Sequence, residues 1–142
     1  IGYVAAPANI SKLIGNYLSH CISSPCSISQ KAAAAALSGS QETVEAMRKA
    51  FEERRNYMVD RMNQIEGVSC IKPEGAFYLF VKSPVENEKE FCEVCKQYNV
   101  LVVPGSSFAC PGYVRIAYCV SYGQIERSLP AFRKIAEHYN LV

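Results

Sequence analysis

Tryptophan is absent from these 142 residues, histidine occurs only twice, and the formal net charge is only +2. Each shortage removes a class of function. A charge this close to balance offers no electrostatic handle on nucleic acid or an acidic membrane surface. No apolar run approaches the length needed to span a bilayer, and no secretory hydrophobic segment opens the chain. His20 and His138 lie far apart in sequence, without a ligand partner. The phosphate loop G-x-x-x-x-G-K-[ST], the dinucleotide turn G-x-G-x-x-G, the G-x-S-x-G elbow and the H-E-x-x-H helix are all missing. What remains is ordinary globular composition, 49% hydrophobic and 20% charged, which argues against disorder. The length suits one domain with a real core, or one domain plus part of another. The opening Ile1-Gly2-Tyr3-Val4 reads like protein interior, so the true N-terminus is expected upstream.

Cysteine is not scarce. Seven of them, an odd number scattered through core-like segments, point to reduced thiols in a cytoplasmic setting rather than a disulfide framework. Cys92 and Cys95 have C-x-x-C spacing. No second pair or His pair accompanies them, and no Gly-Pro or Trp marks a redox turn. They fall inside an expected helix, where a small buried thiol is the plainer account and no metal site is expected.

Apolar residues recur at helical spacing from about Pro7 to His20 (Ile10, Leu13, Ile14, Tyr17, Leu18), which predicts an amphipathic helix. After a Ser/Pro loop, Ser27 and Gln30 have the spacing of a capping box. The helix they open contains the alanines from Ala32 to Ala36, stops at Gly39, and is expected to be buried. A longer helix from about Gln41 to Ile65 sets Met47, Phe51, Met58, Met62 and Ile65 on one side and ends at Gly67. Beyond it the pattern shortens to strands at Val68–Lys72 and Ala76–Val81, joined by Pro73-Glu74-Gly75. Gly75 is expected to mark a tight turn or a close backbone approach. Asn87 and Glu90 suggest the start of a helix with Phe91, Val94, Cys95 and Tyr98 on one face. Strands follow at Val100–Val103 and Tyr113–Cys119. Ser121 and Gln124 then open a last helix, expected to bend or break at Pro130. Helices followed by a ββαββα order predict an α/β domain of the two-layer α+β kind.

Arg115 is the leading candidate for chemistry. Alternation puts Val114, Ile116 and Tyr118 on one face of its strand, and Arg115, Ala117 and Cys119 on the other. Small neighbours leave room for a carboxylate or phosphate to approach the guanidinium fork. Taken locally, an exposed strand arginine or half of a structural ion pair is the plainer account. Val103-Pro104-Gly105-Ser106-Ser107-Phe108 could present N–H groups and hydroxyls to an anion, but as a turn it needs no function. In Pro73-Glu74-Gly75-Ala76-Phe77-Tyr78-Leu79-Phe80, an aromatic at the mouth of the strand could line a pocket.

These segments, in this order from Ile1-Gly2-Tyr3 through Ser27-Ile28-Ser29-Gln30 to Val114-Arg115-Ile116-Ala117, together resemble the class I aminotransferases. Those belong to the fold-type I superfamily that depends on pyridoxal 5'-phosphate (PLP), and the resemblance is to the aspartate aminotransferase-like branch. It covers essentially the whole chain but about the last third of a usual family member. It implies that residues 1–40 are a remnant of the large PLP-binding domain, 41–66 a connecting helix, and 67–142 the C-terminal small domain. It implies Arg115 as the holder of the substrate α-carboxylate, Phe77 as an aromatic beside the substrate, and Ser24 and Ser27 as neighbours of the cofactor phosphate region across a homodimer. The Schiff-base lysine is expected upstream of Ile1, so the isolated chain is expected neither to hold PLP nor to turn over. For the whole protein the expected reaction moves an amino group between an amino acid, aspartate favoured, and a 2-oxo acid. The alternatives are a PLP-dependent lyase on the same scaffold, or a non-enzymatic α/β binding module.

Overall fold

Helix occupies most of the chain up to Met62, and the strands begin only at Tyr78. The computed structural model describes residues 1–141, which fall into two units, residues 1–45 and the part from Ala46 onward. Among the described residues no helix is long and apolar enough to cross a membrane.

The first unit contains helix α1 (Ala8–Cys21), helix α2 (Ser27–Ser38) and the start of α3 (Glu42–Met62). Amphipathic spacing forms α1 as expected, yet neither α1 nor α2 has a buried residue. The expected burial of α2 is therefore not met. Its alanines are exposed except Ala33, which is half-buried. The Ser27/Gln30 capping box is not formed either. Ser27 is already the first helical residue, the cap position falls to Cys26, and the Gln30 amide donates instead to the Pro25 carbonyl at 2.9 Å.

In the second unit the stripe of α3 is buried only toward its C-terminus. Met58, Val59 and Met62 are enclosed, while Met47, outside the reach of that core, is 52% exposed. The chain then runs through β1 (Tyr78–Lys82), α4 (Glu88–Gln97), β2 (Val103–Pro104), a 3-10 turn (Gly105–Phe108), β3 (Tyr113–Ala117) and α5 (Tyr122–His138). The sheet order is β1-β3-β2 and both pairings are antiparallel. One expected strand is missing. Val68–Lys72 contributes only a bridge between Cys70 and Val81, because the Asn63 side chain takes both the N–H and the carbonyl of Cys70. The expected strand at Val100–Val103 shrinks to its end, and at its start the Val100 N–H is taken by the Cys95 carbonyl of α4 at 3.0 Å.

Leu79 and Val81 of β1 and Val114 and Ile116 of β3 share one face and are all buried. They join Met58 and Met62, Phe91 and Cys95 of α4, and Ile125, Phe132 and Ile135 of α5 in one core. The result is the expected two-layer α+β arrangement, sheet on one side and helices on the other. Asn87 caps α4 as expected, accepting from the N–H groups of Lys89 and Glu90. Ser121 caps α5 by accepting from Gln124 N–H. The expected break at Pro130 does not occur, and α5 continues through it. Pro130 and Glu126 are both exposed, so water can serve the carbonyl that the missing N–H leaves free.

Candidate functional site

The second face of the sheet carries Tyr78, Phe80, Tyr113 and Arg115, none of them fully buried. Register places Arg115 opposite Phe80 on β1 and opposite Val103 on β2, so the arginine rises from the middle strand. Its guanidinium carbon lies 4.1 Å from the centre of the Tyr78 ring and 3.8 Å from that of Phe108. Two π faces attract the cation without consuming its N–H donors. Among the described residues no carboxylate pairs with Arg115, and no acceptor hydrogen-bonds to it. A planar donor fork held between rings, with its edge free, is suited to a bidentate carboxylate or phosphate. The structural ion pair that local sequence allowed is not formed.

Phe77 stands next in this aromatic row. Its ring centroid is 4.6 Å from Tyr78 and 6.1 Å from Phe51, and the residue is 37% exposed. The loop in front of it is held twice. Arg55 donates to the Pro73 carbonyl at 3.2 Å, and the Tyr118 hydroxyl donates to the Ala76 carbonyl at 2.8 Å. The Tyr118 N–H also donates to the Phe77 carbonyl at 3.0 Å. The left-handed residue of this turn is Ala76, with φ +58°, rather than Gly75, around which there is open space. The close approach expected at Gly75 occurs instead at Gly105. A Cβ there would lie 2.1 Å from the Cys110 carbonyl oxygen and 2.6 Å from that of Tyr113. That crowding fixes the turn carrying Phe108.

Arg115 and Phe77 are thus brought into one array. Ser24 and Ser27, both exposed, belong to the first unit, in the loop before α2 and at its first residue. Sequence reasoning missed Tyr78 and Phe108 as the rings on Arg115. Period-2 alternation could have put Tyr78 and Phe80 on one face, but the strand register that meets Arg115 is not a local property. Cys92 and Cys95 are both buried in the core, and burial pushes the Cys95 thiol up to about 12, with its neighbour Cys92 adding to the effect. Such a thiol is a packing group rather than a nucleophile. A recess of about 570 Å³ along α5, lined by Leu101, Ala117, Gln124, Arg127 and Ser128 among others, contains one full cation and no acid or base to work with it.

Comparison with known proteins bears on this geometry. The sequence model of the family described as "Aminotransferase class I and II" matches residues 1–132. An aspartate aminotransferase of Geobacillus stearothermophilus is 40% identical over 145 residues, which take in 96% of this chain and 37% of that protein. The chain therefore spans little more than a third of that relative's length. Among solved structures, an aromatic aminotransferase of Pyrococcus horikoshii superposes with a TM-score of 0.87 at 34% identity, covering 97% of this chain and 39% of that one. An aspartate aminotransferase of Thermus thermophilus with maleate gives a TM-score of 0.86 at 29% identity, over 92% of this chain and 35% of that one.

Proposed function

We propose, from the premise that this chain belongs to the class I and II aminotransferase family, that Arg115 binds the α-carboxylate of an amino acid during transamination by the whole protein. The family is PLP-dependent, and PLP when bound supplies the electron sink for bond breaking at the amino acid Cα. The residues of this chain do not by themselves fit that cofactor. Every lysine is exposed, whereas a lysine carrying PLP must be enclosed with it. On this reading the cofactor-bearing lysine lies outside residues 1–142, which leaves the isolated chain inactive. Residues 67–142 act as the small domain, 41–66 as the connecting helix, and 1–40 as part of the large domain.

The observation that carries this reading is the guanidinium of Arg115, stacked between Tyr78 and Phe108 with no acid of its own among the described residues. A bidentate contact there fixes the amino acid in one orientation, with Phe77 beside it as an apolar wall. Ser24 and Ser27 contribute hydroxyls near the cofactor phosphate of a homodimer. Aspartate with a 2-oxo acid is the favoured substrate pair, supported by the aspartate aminotransferases among the relatives and by the maleate, a dicarboxylate, held by the Thermus protein. The seven free thiols agree with a cytoplasmic location.

The test is Arg115→Ala in the whole protein. Loss of charge-assisted hydrogen bonds worth about 2–3 kcal/mol should raise KM for the amino acid by roughly 30- to 150-fold, with PLP affinity unchanged. Equal loss of amino-acid and PLP binding would instead mean structural damage and would sink the assignment.

A further inference from the structure

Glu88 opens α4, a position where acids are common because an exposed carboxylate there complements the helix dipole. This one is only 7% exposed, although a buried carboxylate needs partners to offset its lost hydration. No cation pairs with it among the described residues. Apart from its own N–H, its partners are donors from a single loop. Gly112 N–H reaches its Oε2 at 3.4 Å, and the Ser106 hydroxyl and N–H also face it. Ser106 precedes Phe108 in that loop and Gly112 follows it, so the carboxylate ties the loop on both sides of the ring that covers Arg115.

We infer that Glu88 is a positioning residue for Arg115: its buried carboxylate holds the Gly105–Phe108 turn where the Phe108 ring lies on the guanidinium. The functional half of this inference rests on Arg115 being the carboxylate clamp; the structural half does not. From outside, the two ends of the loop are also met by the close approach at Gly105 and by Ser83 N–H donating to the Gly112 carbonyl at 2.9 Å, while Ser106 between them is met by Glu88. Internally it is closed by Cys110 N–H to the Gly105 carbonyl at 3.0 Å and Ala109 N–H to the Ser106 carbonyl at 3.3 Å. Ala109 sits at φ +56°, a left-handed conformation that costs a residue with a Cβ free energy and persists only where surrounding contacts enforce it. Phe108 also meets Phe80 edge-on at 6.3 Å, so a displaced turn would open both contacts. The Ser106 hydroxyl, together with the α4 N-terminus and the Gly112 and Ser106 N–H groups, lowers the Glu88 carboxyl below its ordinary pKa, which agrees with a charged group serving these donors.

Two measurements test this. In the 142-residue chain, the NMR resonances of the Arg115 side chain report ring-current shifts from the two flanking rings, with Phe108→Ala as the reference for a missing ring. Glu88→Gln should move these resonances toward the Phe108→Ala position. Ser106→Ala, at an exposed residue that carries little folding risk, should move them the same way by less. In the full-length holoenzyme, Glu88→Gln should raise KM for the amino acid about tenfold, with kcat within about twofold and PLP affinity unchanged. Resonances that stay in place in both Glu88→Gln and Ser106→Ala, while Phe108→Ala moves them, overturn the inference. So does an unchanged KM in Glu88→Gln when Arg115→Ala raises it. If Arg115→Ala itself leaves KM unchanged, the clamp reading fails, and the resonances alone decide whether Glu88 positions the turn.

Discussion

On one face of the sheet Leu79, Val81, Val114 and Ile116 are at most 6% exposed, whereas Tyr78, Phe80 and Arg115 on the other stay half-open. Both faces arise from the same alternation along β1 and β3. The closed face packs on α3, α4 and α5 and supplies the burial that makes the domain fold. Freed from that task, the open face can hold a cation between two rings without an acid to neutralise it. A two-layer fold thus separates stability from binding by one residue of sequence.

The largest expected effect lies on the closed face. Leu79 is fully buried, so Leu79→Ala should cost about 2–5 kcal/mol through lost transfer free energy and a residual cavity. Urea unfolding of the 142-residue chain measures it, and a loss under about 1 kcal/mol would mean that this face is not the core. Arg115→Ala, one strand position from Val114, should cost only about 1 kcal/mol of stability, from two partly exposed cation–π contacts. Its main consequence should appear in amino-acid binding. A collapse in stability as deep as that of Leu79→Ala would break the distinction between the faces.

Tyr118 bridges the two. Its body is buried with the core, yet its hydroxyl holds the Ala76 carbonyl in the turn that presents Phe77. Tyr118→Phe should cost about 1 kcal/mol in urea unfolding, the usual net value of one hydrogen bond. It should also loosen Phe77, read as faster hydrogen exchange across residues 75–78. Unchanged exchange there would show that Arg55 at Pro73 and the Tyr118 N–H at Phe77 suffice to hold the loop.

Acid should act on the turn that carries Phe108. The Glu88 carboxyl is lowered, chiefly by the Ser106 hydroxyl, so the folded-state pKa lies below the unfolded value. Its contribution is then fully present above the unfolded pKa, about 4.3, and is lost as pH falls through the lower folded value. Wild type should be more stable than Glu88→Gln at pH 7, and the two should converge well below pH 4. Parallel curves down to acid pH would mean that Glu88 gains nothing from its charge.

How far these faces could be read in advance depended on whether the cause was local. Alternation in Tyr113-Val114-Arg115-Ile116-Ala117 separated core from site because burial acts residue by residue along a strand. Asn87 and Ser121 marked helix starts because a cap bonds to N–H groups two or three residues away. Failures came where the partner was distant. Asn63 removed a strand at Cys70 from seven residues away, and Phe108 reached Arg115 only through the folded turn. Glu88 carried no signal in the sequence, since its burial depends on the distant loop that bears Ser106. In the first unit, helical spacing identified which side of α1 is apolar. It did not say whether these residues contain the surface that would cover that side.

Cysteine reactivity gives the smallest effect on the fold and a direct reading of the two faces. Cys119 continues the parity of Arg115 and is exposed, while Cys95 lies beneath the closed face with no exposure at all. Burial pushes the Cys95 thiol up to about 12. At pH 8 its thiolate fraction is then on the order of 10⁻⁴, and the remaining protein must open before a reagent can reach it. Iodoacetamide labelling followed by peptide mass spectrometry should modify Cys119 early and leave Cys95 unmodified until urea unfolds the chain. Cys92, also buried and raised by burial, should follow Cys95. Labelling of Cys95 at the rate of Cys119 in native conditions would mean that α4 detaches readily from the sheet. The closed face would then be a transient surface, and its contrast with the face of Arg115 would not survive in solution.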